Sequence, residues 1–267
     1  MSDSARKQAV QAQFAPNADA YVTSAVHANQ DDLRRMVTLA VLRGDERVLD
    51  IATGGGHTAL AFAPHVRDVI ATDLTPAMLA AAERFITGEG VANVRFQQAD
   101  AEALPFAAGA FDVVTCRVAA HHFGDVPRFL DEVARVLTGG GTFILVDTIA
   151  PPDVALDQFI DSVERLRDPS HVRDYTEADW RAFCTAAGLE VTQSETWRKT
   201  IPFDDWCDRM RVSGATRGEL VRLLASASPE AQDSFAIELS ETGIRQFALH
   251  ALLLVARTVE RVPMHQR

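Results

Sequence analysis

Val48-Leu49-Asp50-Ile51-Ala52-Thr53-Gly54-Gly55-Gly56-His57-Thr58 decides the fold. An apolar run meets an acid, turns through three consecutive glycines and leads into a helical segment at 58–63. Strand, glycine turn and helix in that order make a shelf on which a ligand can lie against backbone, because glycine has no Cβ to hold it off. A second acid, Asp73, closes the next apolar run, Val69-Ile70-Ala71-Thr72, about one strand–helix unit later. Acids at the ends of neighbouring strands with a glycine loop between them read as a nucleoside-binding edge.

Outward from that stretch, strand and helix patterns alternate from about residue 32 to 190. The spacing predicts helices at 31–42, 76–85 and 126–137, the second with proline in its first turn and the third closed by Gly139-Gly140-Gly141. Strands are predicted at 47–51, 69–72, 94–97, 111–116 and 142–146; the last is nearly all apolar, as in a strand covered on both faces. Such alternation predicts an α/β fold, a mostly parallel sheet with helices on both faces. After Pro151-Pro152 come helical patterns at 155–166 and 177–187, with Thr176 as N-cap and Gly188 as stop. Residues 189–197 alternate like a strand. Residues 203–238 read as a polar-helical insertion with breaks at Gly214 and Pro229, and 248–256 as a buried strand. The first 30 residues carry no strand signal, yet hold Phe14, Tyr21 and His27, more than a disordered tail needs.

A length of 267 residues, 47% of them hydrophobic and 24% charged, suits one large α/β domain with room for a cap. No apolar run approaches the roughly 20 residues of a membrane span, and the N-terminus lacks a secretion-signal core, so a cytoplasmic location is expected. Cys116, Cys184 and Cys207 lie far apart without CxxC spacing, which argues against a zinc site or disulfides. A net charge of −11 argues against nucleic acid as partner, and Arg209, Arg211, Arg217 and Arg222 read as a solvated helix face.

Gly54-x-Gly56-x-x-Ala59 formally fits the dinucleotide fingerprint, with Asp73 placed for a ribose hydroxyl, so an NAD(P)-dependent oxidoreductase is one reading. Three features favour another. The pattern begins with an acid, Asp50-x-Ala52-x-Gly54-x-Gly56; a third acidic strand end follows at Ala99-Asp100-Ala101; and the chain continues through Leu104-Pro105-Phe106, Phe111-Asp112-Val113-Val114 and a Gly-rich turn before the fifth strand, while no hydride-site motif is recognisable. Together with Thr72-Asp73-Leu74-Thr75, Asp100-Ala101-Glu102-Ala103-Leu104-Pro105-Phe106, Phe111-Asp112-Val113-Val114 and Leu137-Thr138-Gly139-Gly140-Gly141, these stretches carry a resemblance. The chain resembles class I S-adenosylmethionine-dependent methyltransferases, specifically the ubiquinone/menaquinone-biosynthesis-like group of small-molecule enzymes. The resemblance covers roughly residues 14–200 and is strong over 45–148.

It implies a Rossmann-like seven-stranded sheet whose last strand runs antiparallel, with 189–199 as the sixth strand and 248–257 as the seventh. It further implies an N-terminal helical lid at 1–30, a core at 31–200, a helical cap at 201–240, and the final strand with its tail at 241–267. The cofactor would be S-adenosyl-L-methionine. Asp73 would accept both ribose hydroxyls, as an acceptor-only carboxylate can. Gly54 and Gly56 would let the methionine part lie on the loop, and Asp50 would orient that loop and face the cofactor's amino group. Ala52 stands where the family has its first loop glycine, so backbone of negative φ is expected there. Asp100 would accept from the adenine amino group and the Ala101 amide would donate to a ring nitrogen, with Leu74 and Met78 sandwiching the base.

Cys116-Arg117-Val118-Ala119-Ala120-His121-His122-Phe123 falls at the carboxyl end of the fourth strand, the ligand edge of such sheets. The backbone at Arg117 would line the methionine carboxylate or sulfonium. His121 and His122 are candidates for a base or for positioning the acceptor. No metal is expected, because no carboxylate sits at ligand spacing beside them in the sequence. Tyr21 and His27, with Phe14, would face the active site from the lid or else pack on the sheet. The implied reaction is direct methyl displacement to O or C of a small aromatic, quinone-like or secondary-metabolite acceptor by a monomer or homodimer. A protein of the same fold with cofactor-dependent but non-methyl-transfer chemistry stands as the alternative. A nucleic-acid methyltransferase is disfavoured by the acidic balance and by Cys116-Arg117-Val118-Ala119 where an Asn/Asp-Pro-Pro-aromatic motif would be.

Overall fold

The computed structural model describes residues 2–22, 30–241 and 243–259; His27 lies outside them. Strands run β1 Arg47–Ile51, β2 Asp68–Asp73, β3 Val94–Gln98, β4 Phe111–Arg117, β5 Leu137–Thr148, β6 Leu189–Pro202, β7 Glu238–Ser240 and β8 Gly243–Thr258. Their order across the sheet is β3-β2-β1-β4-β5-β8-β6, with β7 paired to β8 off that path. The first five strands are mutually parallel, and β8 is antiparallel to both its neighbours. The α/β class and the parallel sheet are thus as the sequence pattern predicted, and the antiparallel last strand is as the resemblance implied. Strand order reverses beyond β1, between β1 and β4, and in open sheets ligands bind in the crevice at the carboxyl ends of such a pair.

Alternate residues of the central strands feed two cores, as a period of two requires. Leu49, Val114, Leu145 and Leu254 pack on one face with Phe129, Leu130 and Val133 of helix Val126–Val136. Val48, Val113, Ile144, Leu253 and Val255 pack on the other with Met36, Phe62 and Ile86. Thr176 caps helix Glu177–Ala186 as expected, in a full capping box with Asp179.

Three readings change. The glycines at 139–141 do not merely stop a helix: β5 already begins at Leu137, and its register with β4 shifts between Phe111 and Val113 across that glycine run, which is a bulge. β6 and β8 are longer than their apolar cores suggested. β5 leaves β8 at Ala251, whereas β6 stays paired with it down to Gln246, so a two-stranded ribbon projects past the sheet. The third change concerns 203–238, whose polar composition concealed a core. Helices Phe203–Arg209, Gly214–Ala225 and Pro229–Ser234 bury Phe203, Trp206, Leu220, Leu224 and Phe235 against that ribbon and against helix Val154–Arg167. Short β7, exposed throughout, was not foreseen. All three cysteines are free and buried. Among the described residues no helix is long and apolar enough to cross a membrane.

Leu254 is fully buried at the centre of β8 with a strand on either side. Leu254→Ala should lower unfolding free energy by about 3 kcal/mol, while Leu254→Met should cost less than about 1.5 kcal/mol, in denaturant titrations.

Candidate active site

The exit of β1 is clamped to both neighbours. Asp50 is 1% exposed, and its carboxylate accepts from Thr53 Oγ1 at 2.6 Å and from Thr115 Oγ1 of β4 at 2.8 Å. Thr53 N–H donates to the Thr72 carbonyl of β2 at 2.7 Å, and Thr72 Oγ1 donates back to the Asp50 carbonyl at 3.1 Å. Burial raises the Asp50 carboxyl to about 6 despite those hydroxyls. Asp50 shapes the loop through its bond to Thr53. Between them Ala52 sits at φ +54°, so the expected negative φ is corrected. The clamp before and after it holds the residue in the left-handed region, and the missing glycine is replaced by strain. Gly54 and Gly56 also have positive φ, where glycine is at ease. A Cβ on Gly56 would come 2.9 Å from Ile86 Cδ1, so the absent side chain admits helix Pro76–Gly88. Gly55, not singled out from the sequence, takes the cavity side with Gly54, and a Cβ there would come 2.9 Å from the Tyr21 carbonyl oxygen.

Asp73 ends β2 beside this loop. It accepts from the Gly54 N–H at 3.1 Å and the Thr75 N–H at 2.8 Å, and lines a first cavity together with Ala52, Gly54, Met78 and Arg117. Burial outweighs those amides and lifts its carboxyl to about 6. A second cavity adjoins, lined by Ala52, Leu74, Asp100 and Ala101. Leu74 and Met78 therefore face different cavities; Met78 is 3% exposed and packs with Phe14, Tyr21 and Met210. Over the second cavity lies helix Asp3–Phe14, whose Lys7 ammonium contacts Asp100 at 2.7 Å, Glu102 at 2.8 Å and Asp3 at 2.8 Å.

Past β4 the chain turns through Val118 at φ +54°, a costly conformation for a β-branched residue, held by its N–H to the Val146 carbonyl at 2.7 Å. Arg117 lines the first cavity, but its guanidinium is buried in a two-oxygen pairing with Asp32. His121 Nδ1 meets Asp147 Oδ1 at 2.6 Å. Burial by itself would depress His121, yet Asp147, Asp174 and Glu164 outweigh it and raise the imidazole to about 9. His122 does the reverse: burial and the charge on His121 hold it well below the ordinary histidine range. Its Nδ1–H donates to the Ser170 carbonyl at 3.1 Å, so Nε2 carries the lone pair. His122 lines the first two cavities and a third, walled also by Phe14, Tyr21, Val118, His121, Glu164 and Lys199. Arg209 turns into this third cavity as well, so it is not part of a solvated face. Burial, then Arg117, lowers the Lys199 ammonium to about 8.

Three contiguous cavities thus run along the carboxyl edge at the point where strand order reverses, as in nucleoside-binding α/β sheets. The family model described as a methyltransferase domain matches residues 49–145. An uncharacterized methyltransferase of Bacillus subtilis, YcgJ, is 44% identical over 242 residues, covering 90% of this chain and 96% of that protein. Its crystal structure superposes with a TM-score of 0.84 at 43% identity, over 87% of this chain and all of that one. The chain belongs to the class I S-adenosylmethionine-dependent methyltransferases. A putative methyltransferase from Bacillus halodurans agrees, with a TM-score of 0.83 at 42% identity over 86% of this chain and 100% of that one. Demethylmenaquinone methyltransferase of Thermus thermophilus is 41% identical over 121 residues, 45% of this chain and 54% of that enzyme.

Within this methyltransferase the structure brings Asp73, Gly54, Ala52, Met78, Arg117, Tyr21 and His122 to one cavity, and Leu74, Asp100 and Ala101 to the next. Asp50 and Gly56 lie beneath the loop, and His121 faces the third cavity alone. Sequence reasoning missed Thr53, Thr115, Lys7 and Asp147. Asp147 had a signal: it is another acid at the carboxyl end of an apolar strand. The premise that no carboxylate accompanies the paired histidines fails in space, since Asp147 and Asp168 reach them from 26 and 46 residues away.

Two outcomes follow from this geometry. Ala52→Gly should raise stability by about 1 kcal/mol by relieving the left-handed strain, and Ala52→Val should lower it by at least as much, in thermal or denaturant unfolding. His121 keeps its proton up to about pH 9 in the folded chain against 6.5 for the free side chain. Its pairing stabilises fully below pH 6.5 and is lost as pH rises through 9. The stability difference between the native chain and His121→Asn should therefore shrink steadily from pH 6 to pH 9.5.

Proposed function

We propose that this methyltransferase moves a methyl group from S-adenosyl-L-methionine to an oxygen or carbon atom of a small aromatic or quinone-like acceptor. The observation that carries the proposal is the place of Asp73. Its two carboxylate oxygens each take a backbone N–H, one from Gly54 and one from Thr75, in a residue that lines the first cavity, and a carboxylate oxygen can accept more than one hydrogen bond. That is the acceptor pair a ribose diol needs. Gly54 and Gly55 offer side-chain-free backbone beside it for the methionine part. Asp100 and Ala101 lie one strand further on for the adenine, in keeping with the strand-end acids of the sequence motif.

When bound, the cofactor supplies a methyl group already activated on a sulfonium, so alignment is the protein's main task and is worth several kcal/mol. Val118, Phe14, Tyr21 and His122 stand where the first and third cavities meet, so they would orient an acceptor toward the donor. The aromatic rings of Phe14, Tyr21 and Trp206, with Ile201 and Leu249, suit a flat apolar acceptor and exclude water. For an oxygen acceptor, His122 Nε2 would take the hydroxyl proton, its Nδ1–H anchored on Ser170. His121 stays protonated and would not serve as that base. The quinone-like class is supported by the demethylmenaquinone methyltransferase relative. Residues 3–22 act in this reading as the lid, with Lys7 as latch on Asp100 and Glu102.

Asp73→Asn should weaken binding of S-adenosylhomocysteine by roughly 10- to 150-fold, the equivalent of about 1.5–3 kcal/mol, in calorimetry. In the native chain that affinity should fall as pH drops through about 6, where Asp73 takes up a proton, and the fall should be reduced in the variant. Cofactor carrying an isotope-labelled methyl should label hydroxylated aromatics or quinols. Binding without transfer to any such molecule would reject the acceptor class, and absence of binding would reject the whole reading.

A further inference from the structure

We propose that Glu164, His171 and Asp174 form a site for one divalent first-row metal ion, Zn2+ or Mn2+, at the wall of the third cavity. The three are 5%, 4% and 4% exposed, and one ligand atom from each lies within 4.8 Å of the others. Buried polar atoms are normally satisfied. Here Glu164 Oε1 and both ring nitrogens of His171 have no hydrogen-bond partner, and neither has Asp161 Oδ1, which stands 3.7 Å from His171 Nε2. These are four of the seven such side-chain atoms among the described residues, gathered at one place. The other three, on Asn17, Thr75 and Trp180, belong to separate residues outside this group, so the concentration here points to a missing ligand rather than to loose packing.

The chemistry of the donors selects a cation. Two carboxylates and a neutral imidazole match the charge of a dication, and mixed oxygen and nitrogen donors suit Zn2+ or Mn2+ better than Ca2+. Each donor is held from outside the trio. Glu164 lies in the last turn of helix Val154–Arg167, and Asp174 Oδ1 receives Thr148 Oγ1 at 2.6 Å. The stretch between is pinned by Val172 N–H and Arg173 N–H, both donating to the His121 carbonyl, and by His171 N–H donating to the Asp168 carbonyl. The His121 ring stacks on His171 with centroids 5.7 Å apart. Asp161 is placed to orient the His171 ring, as carboxylates behind ligating histidines do. Three protein donors leave a coordination position for water or for an acceptor oxygen, and Glu164 is the donor that also lines the third cavity. Nothing local in the sequence marks this trio: Glu164 lies seven residues before His171 and Asp174 three after it, and only the fold brings their ligand atoms together.

Metal binding is measured without cofactor or acceptor, so the result is independent of the methyl-transfer reading. Chelator-treated full-length protein is titrated with ZnCl2 and with MnCl2 in calorimetry, and bound metal is counted by elemental analysis. One equivalent should bind, and saturation should raise Tm by roughly 5 °C. Glu164→Gln and Asp174→Asn, which preserve shape, should each weaken binding by at least about tenfold and reduce the Tm rise. His65→Ala, at an exposed histidine, should leave both unchanged. The proposal is overturned if the native chain, which needs no variant to fold, binds neither ion saturably. Binding that survives Glu164→Gln combined with Asp174→Asn overturns it equally.

Discussion

Everything at the carboxyl edge depends on how β1 ends. One carboxylate, Asp50, gathers hydroxyls from its own loop and from β4, while the next residue but two, Thr53, bonds across to β2. Three strands are thereby fixed relative to one another where they stop, and the loop between them has a single path. Burying a carboxylate is expensive unless it is well bonded, and the raised Asp50 carboxyl reflects that cost. The return is a glycine shelf stiff enough to keep Asp73 and the Gly54 amide 3.1 Å apart before any ligand arrives. Left-handed Ala52 is a consequence of the clamp rather than an independent feature.

The second organising effect is the opposition of the paired histidines. They are neighbours in sequence with ring centroids 4.2 Å apart, so both cannot be charged cheaply in a buried site. Asp147 decides which one is: its carboxylate at 2.6 Å assigns the proton to His121. His122 is left neutral, with its tautomer set by a backbone carbonyl. Two identical side chains thus acquire different chemistry from one acid at the end of β5.

The third cavity owes its existence to strand length. β6 and β8 outrun the rest of the sheet, and the helices seated on their overhang close one side of the space while Phe14 and Tyr21 close another. These walls come from three distant parts of the chain, whereas the first cavity is built mainly around the loops that leave β1, β2 and β4.

Local physics made much of this legible from residues alone. The glycine turn, the acids at strand ends and the alternation of periods two and 3.6 are short-range signals, and they identified the mostly parallel sheet and the positions of Asp73, Asp100 and Ala101 along its edge; the antiparallel last strand was implied only by the family resemblance. Thr176 announced its capping box for the same reason. What the sequence could not contain was any contact between residues far apart in the chain. Asp32 on Arg117, Asp147 on His121, Lys7 on Asp100 and the gathering of Glu164, His171 and Asp174 are products of strand order and helix placement. The left-handed turn at Ala52 belongs with them. Its side chain prefers negative φ by local sterics, and only hydrogen bonds from two neighbouring strands, assembled by the tertiary fold, overrule that preference.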